Sequence, residues 1–285
     1  MQRAIILTLL EYIAQQAYST EGEFVEAASD IIIAIEEPEL FQHPTKQRLF
    51  YKTLSEIAEN FNKENGIRIQ ILYATHSPLL VEFPDIDRVR LIRKDSTDAG
   101  INITVNSISL QRCADEVAGL RGFKPSASRY GAGLHVITPD VAEGLFGKKV
   151  ILVEGMSDVA ILEAAYLIRN RDTLSEGIVI KSVGGKKNMD RPLLIFERLG
   201  IPTYSILDND RGEHEGKDSE GDEIGWHKFY QELCGCEHIE DWPDTVGPRL
   251  AGWDGNVEKY ISEASGRALY DKSVEEMSSN FSIAG

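Results

Sequence analysis

Apolar positions along this chain recur with two periods, and the changes of period mark its elements. Residues 4–17 carry apolar side chains at helical spacing. Ile31 to Ile35 form a short apolar run closed by Glu36-Glu37-Pro38, the signature of a buried strand. Residues 45–63 return to a helical period and stop at Asn65-Gly66, and "IRIQILYATHSP" reads as a second buried strand. Residues 87–108 alternate on either side of a polar "DSTDAG", which predicts a hairpin. This stretch mixes helix and strand and belongs to an α/β layer.

The pattern then changes and later restarts. "LQRCADEVAGLRGF" and "DVAEGLFG" have helical character, with the Ser/Gly-containing "KPSASRYGAG" between them, so residues 109–147 read as a helical connector. From residue 148 strand and helix alternate: "KKVILVEG", "SDVAILEAAYLIRN", "GIVIKSVGG", "MDRPLLIFERLG", "PTYSILDND". A βαβαβ order predicts a parallel sheet with its site at the carboxyl ends of the strands. The polar run "RGEHEGKDSEGDEIG" after Asp210 reads as a flexible loop, followed by helical pieces at 226–234 and 256–264. The expected division is therefore 1–108, 109–147 and 148–285.

Composition changes this picture little. Of 285 residues, 42% are hydrophobic and 27% charged, an ordinary globular balance. No apolar run approaches the roughly 20 residues of a membrane span, and the first residues read as an amphipathic helix, not a signal peptide. Three cysteines, Cys113, Cys234 and Cys236, make no disulfide framework and point to a reducing, cytoplasmic setting. The net charge of −16 argues against a broad basic face that wraps nucleic acid by charge alone. It leaves open a site where acids gather divalent metal, because the metal restores positive charge locally.

The acids fall where such a site would need them. Glu154 and Gly155 close the first strand of the second half, Asp158 follows on the first helical turn, and Asp208 and Asp210 close the third strand. Strand alternation sends Asp208 and Asp210 to one face, and like charges held together repel unless a cation sits between them. Hard oxygen ligands suit Mg²⁺ or Mn²⁺, and Gly155 is expected to allow a tight turn beside them. An acid at a helix start accounts for Asp158 without any metal; it accounts less well for Glu154 and for the DxD pair.

"VILVEGMSDVAIL" followed by "YSILDNDRG" resembles the toprim domain shared by topoisomerases, primases and several nucleases. The resemblance implies metal ligation by Glu154 and by Asp208 and Asp210, with Asp158 beside them and with "SVGGKKN" (Gly184, Gly185, Lys186, Lys187) at the intervening strand end. In the first half, "IIIAIEEPELFQHP" and "ILYATHSP" resemble the Walker B and switch-histidine segments of ABC-type ATPases. By that likeness Glu36 helps hold Mg²⁺, Glu37 orients the attacking water and His76 senses the γ-phosphate. No GxxxxGK[ST] phosphate loop is present, so the chain is expected to be the carboxyl-terminal portion of a longer protein and not to hydrolyse ATP alone.

This layout resembles the OLD (overcoming lysogenisation defect) nucleases, with Gabija-type and other anti-phage nucleases sharing it. The resemblance implies an α/β fold in which the C-terminal lobe of an ABC-type ATPase precedes a toprim domain. It further implies a DNA endonuclease that uses two divalent cations, with DNA and ATP as ligands of the full-length protein and a homodimer formed through its ATPase region. Glu258 is the expected fifth acid, with Asp254 and Glu220 as competitors. Lys181, Lys186, Lys187 or a residue beyond Gly285 would supply an assisting lysine. A topoisomerase or primase, or an SMC-like or RecF-like clamp that only binds DNA, are the rival readings.

Overall fold

Ile31–Glu36 (β1) and Ile69–Ala74 (β2) lie side by side as parallel strands, from Ile31 opposite Ile69 to Glu36 opposite Ala74. The computed structural model describes residues 31–64, 69–97, 100–121, 126–253 and 255. The helices expected at 4–17 and 256–264 lie outside the described residues. The chain divides into two compact units, 1–82 and 83–285.

In the first unit, the helix Pro44–Glu64 (α1) lies between the strands in the chain, as parallel pairing requires. Alternation puts Ile31, Ile33 and Ile35 on the more buried face of β1 and leaves Ile32 exposed. Phe50 and Leu54 of α1 and Leu80 make the core that receives Ile35, Ile71 and Tyr73. The Tyr73 hydroxyl donates to the Leu80 carbonyl at 2.7 Å, which satisfies its polar tip at the edge of that core.

The second unit opens with the hairpin Leu91–Thr97 (β3) and Gly100–Asn106 (β4). Its ladder runs to Thr97 opposite Gly100, so the strands extend through most of the segment expected to be a turn. The expected boundary at 108/109 falls inside this unit. Residues 109–147 contribute buried side chains: Cys113 and Ala114 of the helix Leu110–Arg121 (α2), then Tyr130, Leu134, Val141 and Leu145. "KPSASRYGAG" contains a short helix, Ala127–Ala132, because the Ser126 hydroxyl caps it by accepting from Arg129 N at 3.2 Å. Arg198 donates to Glu116 at 2.9 Å and ties α2 to the later elements.

The core of the unit is a four-stranded parallel sheet in the order β6-β5-β7-β8. Its strands are Lys149–Val153 (β5), Ile178–Ser182 (β6), Thr203–Asp208 (β7) and Leu250–Trp253 (β8). Helices Met156–Ile168 (α3) and Asp190–Arg198 (α4) supply the crossovers. One sheet face carries Val153, Ile178, Ile180, Ile206 and Ala251, packed against Val159, Leu162 and Tyr166 of α3. Leu193, Leu194, Ile195 and Phe196 of α4 are fully buried, each worth about 1.5–3 kcal/mol.

Two features depart from expectation. The polar run after Asp210 is not a loop: it holds a short helix, Arg211–His214, and the first residues of the helix Glu220–Leu233 (α5). Three acids in the first turn of α5, Glu220, Asp222 and Glu223, favour its N-terminus, and Trp226, Phe229 and Tyr230 are buried along it. The fourth strand, β8, is the other: "RLAGWDG" carries little strand signal and forms one because β7 offers it an open edge.

Candidate metal centre

Chain order places the site. After β5 the chain passes to β6 on one side; after β7 it ends up in β8 on the other. The crevice therefore lies between the carboxyl ends of β5 and β7, where connections diverge. Glu154 leaves β5 and Asp208 ends β7. A cleft of about 410 Å³ opens there, lined by Glu154, Asp158, Ser182, Gly184, Gly185 and Asp208 among others.

Glu154 is held from both sides. Its Oε1 accepts from Asp208 N at 2.9 Å and its Oε2 accepts from Lys186 N at 3.1 Å. Its carbonyl accepts from Ser182 Oγ at 3.0 Å and Gly185 N at 2.9 Å. Burial pushes the Glu154 carboxyl up to about 7; Lys186 and the Asp208 N–H oppose this, and the carboxylates of Asp208 and Asp210 add to it. Asp158 is buried, and its Oδ2 accepts from Gly155 N at 2.7 Å, so it also stabilises the first turn of α3.

Asp208 accepts at Oδ1 from Trp253 Nε1 of β8 at 2.9 Å. Burial pushes its carboxyl up to about 7 as well, opposed by the Trp253 bond and raised further by Asp158 and Asp210. Asn209 is buried. It donates to the Pro243 carbonyl at 3.2 Å, and its Oδ1 accepts from Arg211 N at 3.1 Å. The strand ends at Asp208, and Asp210 has left-handed backbone, φ 50°. The two aspartates are therefore set by a turn locked through Asn209, not by strand alternation as expected.

Asp210 faces Lys186. The Lys186 ammonium lies 3.1 Å from Asp210 Oδ2, bonds Glu223, lies 3.2 Å from His227 Nε2 and 3.8 Å from Glu154 Oε1. Lys186 is only 6% exposed. Burial works against its charge, yet Glu154, Glu223 and Asp210 outweigh this and hold its pKa above the ordinary lysine value. The fully buried His227 stands 2.8 Å from the Asp241 carbonyl through Nδ1, which fixes Nδ1 as the protonated nitrogen and Nε2 as acceptor. Burial, then the Lys186 charge, lowers the His227 pKa. Asp210, His214 and Glu223 each bring a ligand atom within 4.8 Å of the others.

The structure thus brings Glu154, Asp158 and Asp208 to one crevice, with Lys186 bonded to Glu154 and Asp210 beside it. Gly184 and Gly185, with φ 71° and 117°, make the loop that carries Lys186 inward. Gly155 has ordinary extended backbone, φ −121°, so the tight turn expected of it is absent. Lys181 pairs instead with Asp140 and Glu143, both at 2.7 Å, and Lys187 with Asp222 at 2.6 Å. Glu220 accepts from Gly216 N at 3.0 Å, and Glu258 and Asp254 lie outside the described residues. Glu223 escaped the sequence reading because α5 begins inside a run that looked like loop, and His227, in the helical piece expected at 226–234, was left without that partner. The one signal was helical spacing: Glu223 and His227 stand four apart, on one face.

In the first unit, Glu36 ends β1 and Glu37 follows it with φ 44°. Glu37 Oε1 lies 3.7 Å from His76 Nε2, and His76 N donates to Glu39 Oε1 at 2.7 Å. The parallel register thus sets the acidic pair and the histidine at adjoining strand ends.

A divalent cation fits the donors of the second unit. They are hard carboxylate oxygens, and two of them are pushed up to about 7, the condition a cation relieves. A parallel sheet with a Glu and a DxD pair at diverging strand ends is the arrangement of a toprim domain. A family model described as the toprim domain of overcoming lysogenization defect-like proteins matches residues 145–210, and one for an AAA ATPase domain matches residues 1–81. The OLD nuclease of Thermus scotoductus is 28% identical over 212 residues, 74% of this chain and 35% of that protein. The Old nuclease of Escherichia phage P2 is 25% identical over 211 residues, 73% and 32%. Endonuclease GajA of Bacillus cereus is 25% identical over 278 residues, 90% and 38%. The chain spans about a third of the length of these relatives. Both domain models match in the order that an OLD-type nuclease would need, and the chain is similar to these nucleases.

Proposed function

We propose that this chain is the nuclease-bearing portion of an OLD-type protein and cuts DNA by divalent-metal-dependent hydrolysis of a phosphodiester. The observation that carries this reading is the meeting of Glu154 and Asp208 at the β5/β7 crevice, each carboxyl pushed up to about 7. Glu154, Asp158 and Asp208 would hold Mg²⁺ or Mn²⁺, with Asp210 across the site. When bound, such a cation stabilises the charge that develops on the phosphate and lowers the pKa of an attacking water.

The chain's own groups do the rest. Asp208 N and Lys186 N fix the two oxygens of Glu154, and the Trp253 indole fixes Asp208. Met156 and Ser157 line the cleft at the N-terminus of α3, where the helix dipole favours a phosphate group. With a net charge of −16, the protein would draw DNA through this local site and its cations. In the longer protein, Glu36, Glu37 and His76 would serve an ATP site completed by a phosphate loop, and ATP-dependent pairing of two copies would form a homodimer. No helix among the described residues is long and apolar enough to cross a membrane, and a cytoplasmic setting fits the free Cys113, Cys234 and Cys236.

Plasmid cleavage tests the proposal. Mg²⁺ or Mn²⁺ should convert supercoiled plasmid to open or linear forms, and EDTA should abolish this. A clamp that only binds leaves the plasmid supercoiled, and a topoisomerase yields relaxed closed circles; either product, or cleavage that persists in EDTA, removes the assignment.

A further inference from the structure

β8 reaches the crevice as a short strand on the β7 edge, and Trp253 is its last residue. Trp253 is the register partner of Asp208, and partners on adjoining strands send their side chains to one face. On that face Trp253 packs against the apolar cluster that includes Val153, Ile206 and Ala251, so packing places its ring. Its Nε1–H donates to Asp208 Oδ1 at 2.9 Å. The same segment holds the next residue at three points. Asn209 N donates to the Trp253 carbonyl at 3.1 Å, Asn209 Nδ2 to the Pro243 carbonyl at 3.2 Å, and Gly255 N to Asn209 Oδ1 at 3.3 Å. The stretch from Pro243 to Trp253, with Gly255, is therefore a clip on the turn between Asp208 and Asp210. A bond from Gly252 N to the Thr245 carbonyl at 2.9 Å closes the clip on itself.

We propose that Trp253 is a positioning residue of the metal centre: its indole commits Asp208 Oδ1 and so presents Oδ2 to a divalent cation in one carboxylate orientation. The proposal rests on the metal reading above. The last torsion of an aspartate has broad wells, and the negative charges of Asp158 and Asp210 act on Asp208 from nearby. Left to itself, the carboxylate would spread over orientations that a cation must narrow on binding. A donor fixed on one oxygen narrows them during folding instead, and partners of this outer kind tune metal affinity. An indole suits the role because it donates a single N–H and carries no charge. A lysine or arginine in its place would also orient Asp208, but would repel the incoming cation. Trp253 acts only through Asp208, and β8 is the element that delivers it.

Two measurements on the intact chain test this. In EDTA, nuclear magnetic resonance of ¹⁵N-labelled protein follows the indole N–H groups of the three tryptophans, assigned by triple-resonance experiments. Asp208→Ala should shift the Trp253 indole signal and speed its exchange with solvent, whereas Asp208→Asn, which keeps an oxygen, should leave it protected. Mn²⁺ titration of the EDTA-stripped chain, with unbound Mn²⁺ read by its paramagnetic resonance signal, should show Trp253→Phe binding its first Mn²⁺ about tenfold or more weakly than wild type. The metal-free melting temperature of that variant should stay close to wild type, since phenylalanine keeps the apolar packing. Its plasmid cleavage should fall at low Mn²⁺ and recover as Mn²⁺ is raised, because the ligand is present but no longer oriented. A purely structural Trp253 predicts a lower melting temperature with the Mn²⁺ affinity of the folded protein unchanged, and that result overturns the proposal. A Trp253 indole signal indifferent to Asp208→Ala overturns it as well, even where Trp253→Phe does not fold. A wild type that binds no Mn²⁺ while the indole bond is intact would defeat the metal reading, and this proposal with it.

Discussion

Asp208, a proposed metal ligand, ties stability to pH through its carboxyl. Burial, reinforced by Asp158 and Asp210, raises its pKa to about 7, whereas an unfolded-chain aspartate titrates near about 3.9. The fold therefore prefers the protonated form. The stability this group contributes is fully present below the unfolded pKa and is lost as pH rises through about 7. In EDTA, the wild type should melt at lower temperature at pH 8 than at pH 5. Asp208→Asn keeps an oxygen for the Trp253 indole and never ionises, so it should flatten that slope and exceed wild-type stability at pH 8 by about 1–2 kcal/mol after screening. Plasmid cleavage by the same variant should fall by at least about a hundredfold, because a lost ligand misplaces the reacting groups. A structural role for Asp208 predicts the reverse: a lower melting temperature at every pH, with cleavage falling only as folded protein is lost.

At the scale of elements, the loop between β6 and α4 does more than connect them. Gly184 and Gly185 take backbone conformations that side chains disfavour, and this swings Lys186 under α5. Gly185→Ala should cost roughly 1–3 kcal/mol through backbone strain alone, since nothing crowds an added Cβ there. Gly155→Ala offers a contrast. Its φ of −121° is ordinary, and an added Cβ would meet Asp158 Oδ2 and Ser157 Oγ only at 3.5 Å. That variant should stay within about 0.5 kcal/mol of wild type. Thermal unfolding of the pair separates a glycine held by geometry from one that merely sits in a motif; equal losses would contradict it.

At the scale of the whole molecule, the two proposed sites fall in different units. Glu36, Glu37 and His76 all belong to residues 1–82, and the proposed metal ligands all belong to residues 83–285. The chain contains no phosphate loop, so residues 1–285 should show no ATP turnover above background in a phosphate-release assay while still cleaving DNA. Robust ATP hydrolysis by these residues alone would break the reading of the first unit. Cleavage lost together with the first unit's residues, for instance in Glu37→Ala, would show that the second unit does not carry the chemistry by itself.

Local order was readable in the sequence because it depends on neighbours along the chain. Short apolar stretches marked β1, β2, β5, β6 and β7, and helical spacing marked α1, α2, α3 and α4. The acids at strand ends announced Glu154 and Asp208, since few structural reasons put a charge after so apolar a strand. What the tertiary structure decided depends on partners distant in the chain. β8 has little propensity of its own and exists because β7 needs an edge partner; with it comes the Trp253 bond to Asp208. Asp210 is aimed by a left-handed turn that Asn209 locks from the buried side, a conformation that period-two reasoning misassigns. Glu223 sat in a polar run whose helix is stabilised by the burial of Trp226, Phe229 and Tyr230 further along it. Among Lys181, Lys186 and Lys187, only three-dimensional placement separates two lysines paired with exposed acids from one buried ammonium, because burial and charge compensation are properties of a packed neighbourhood and not of a sequence position.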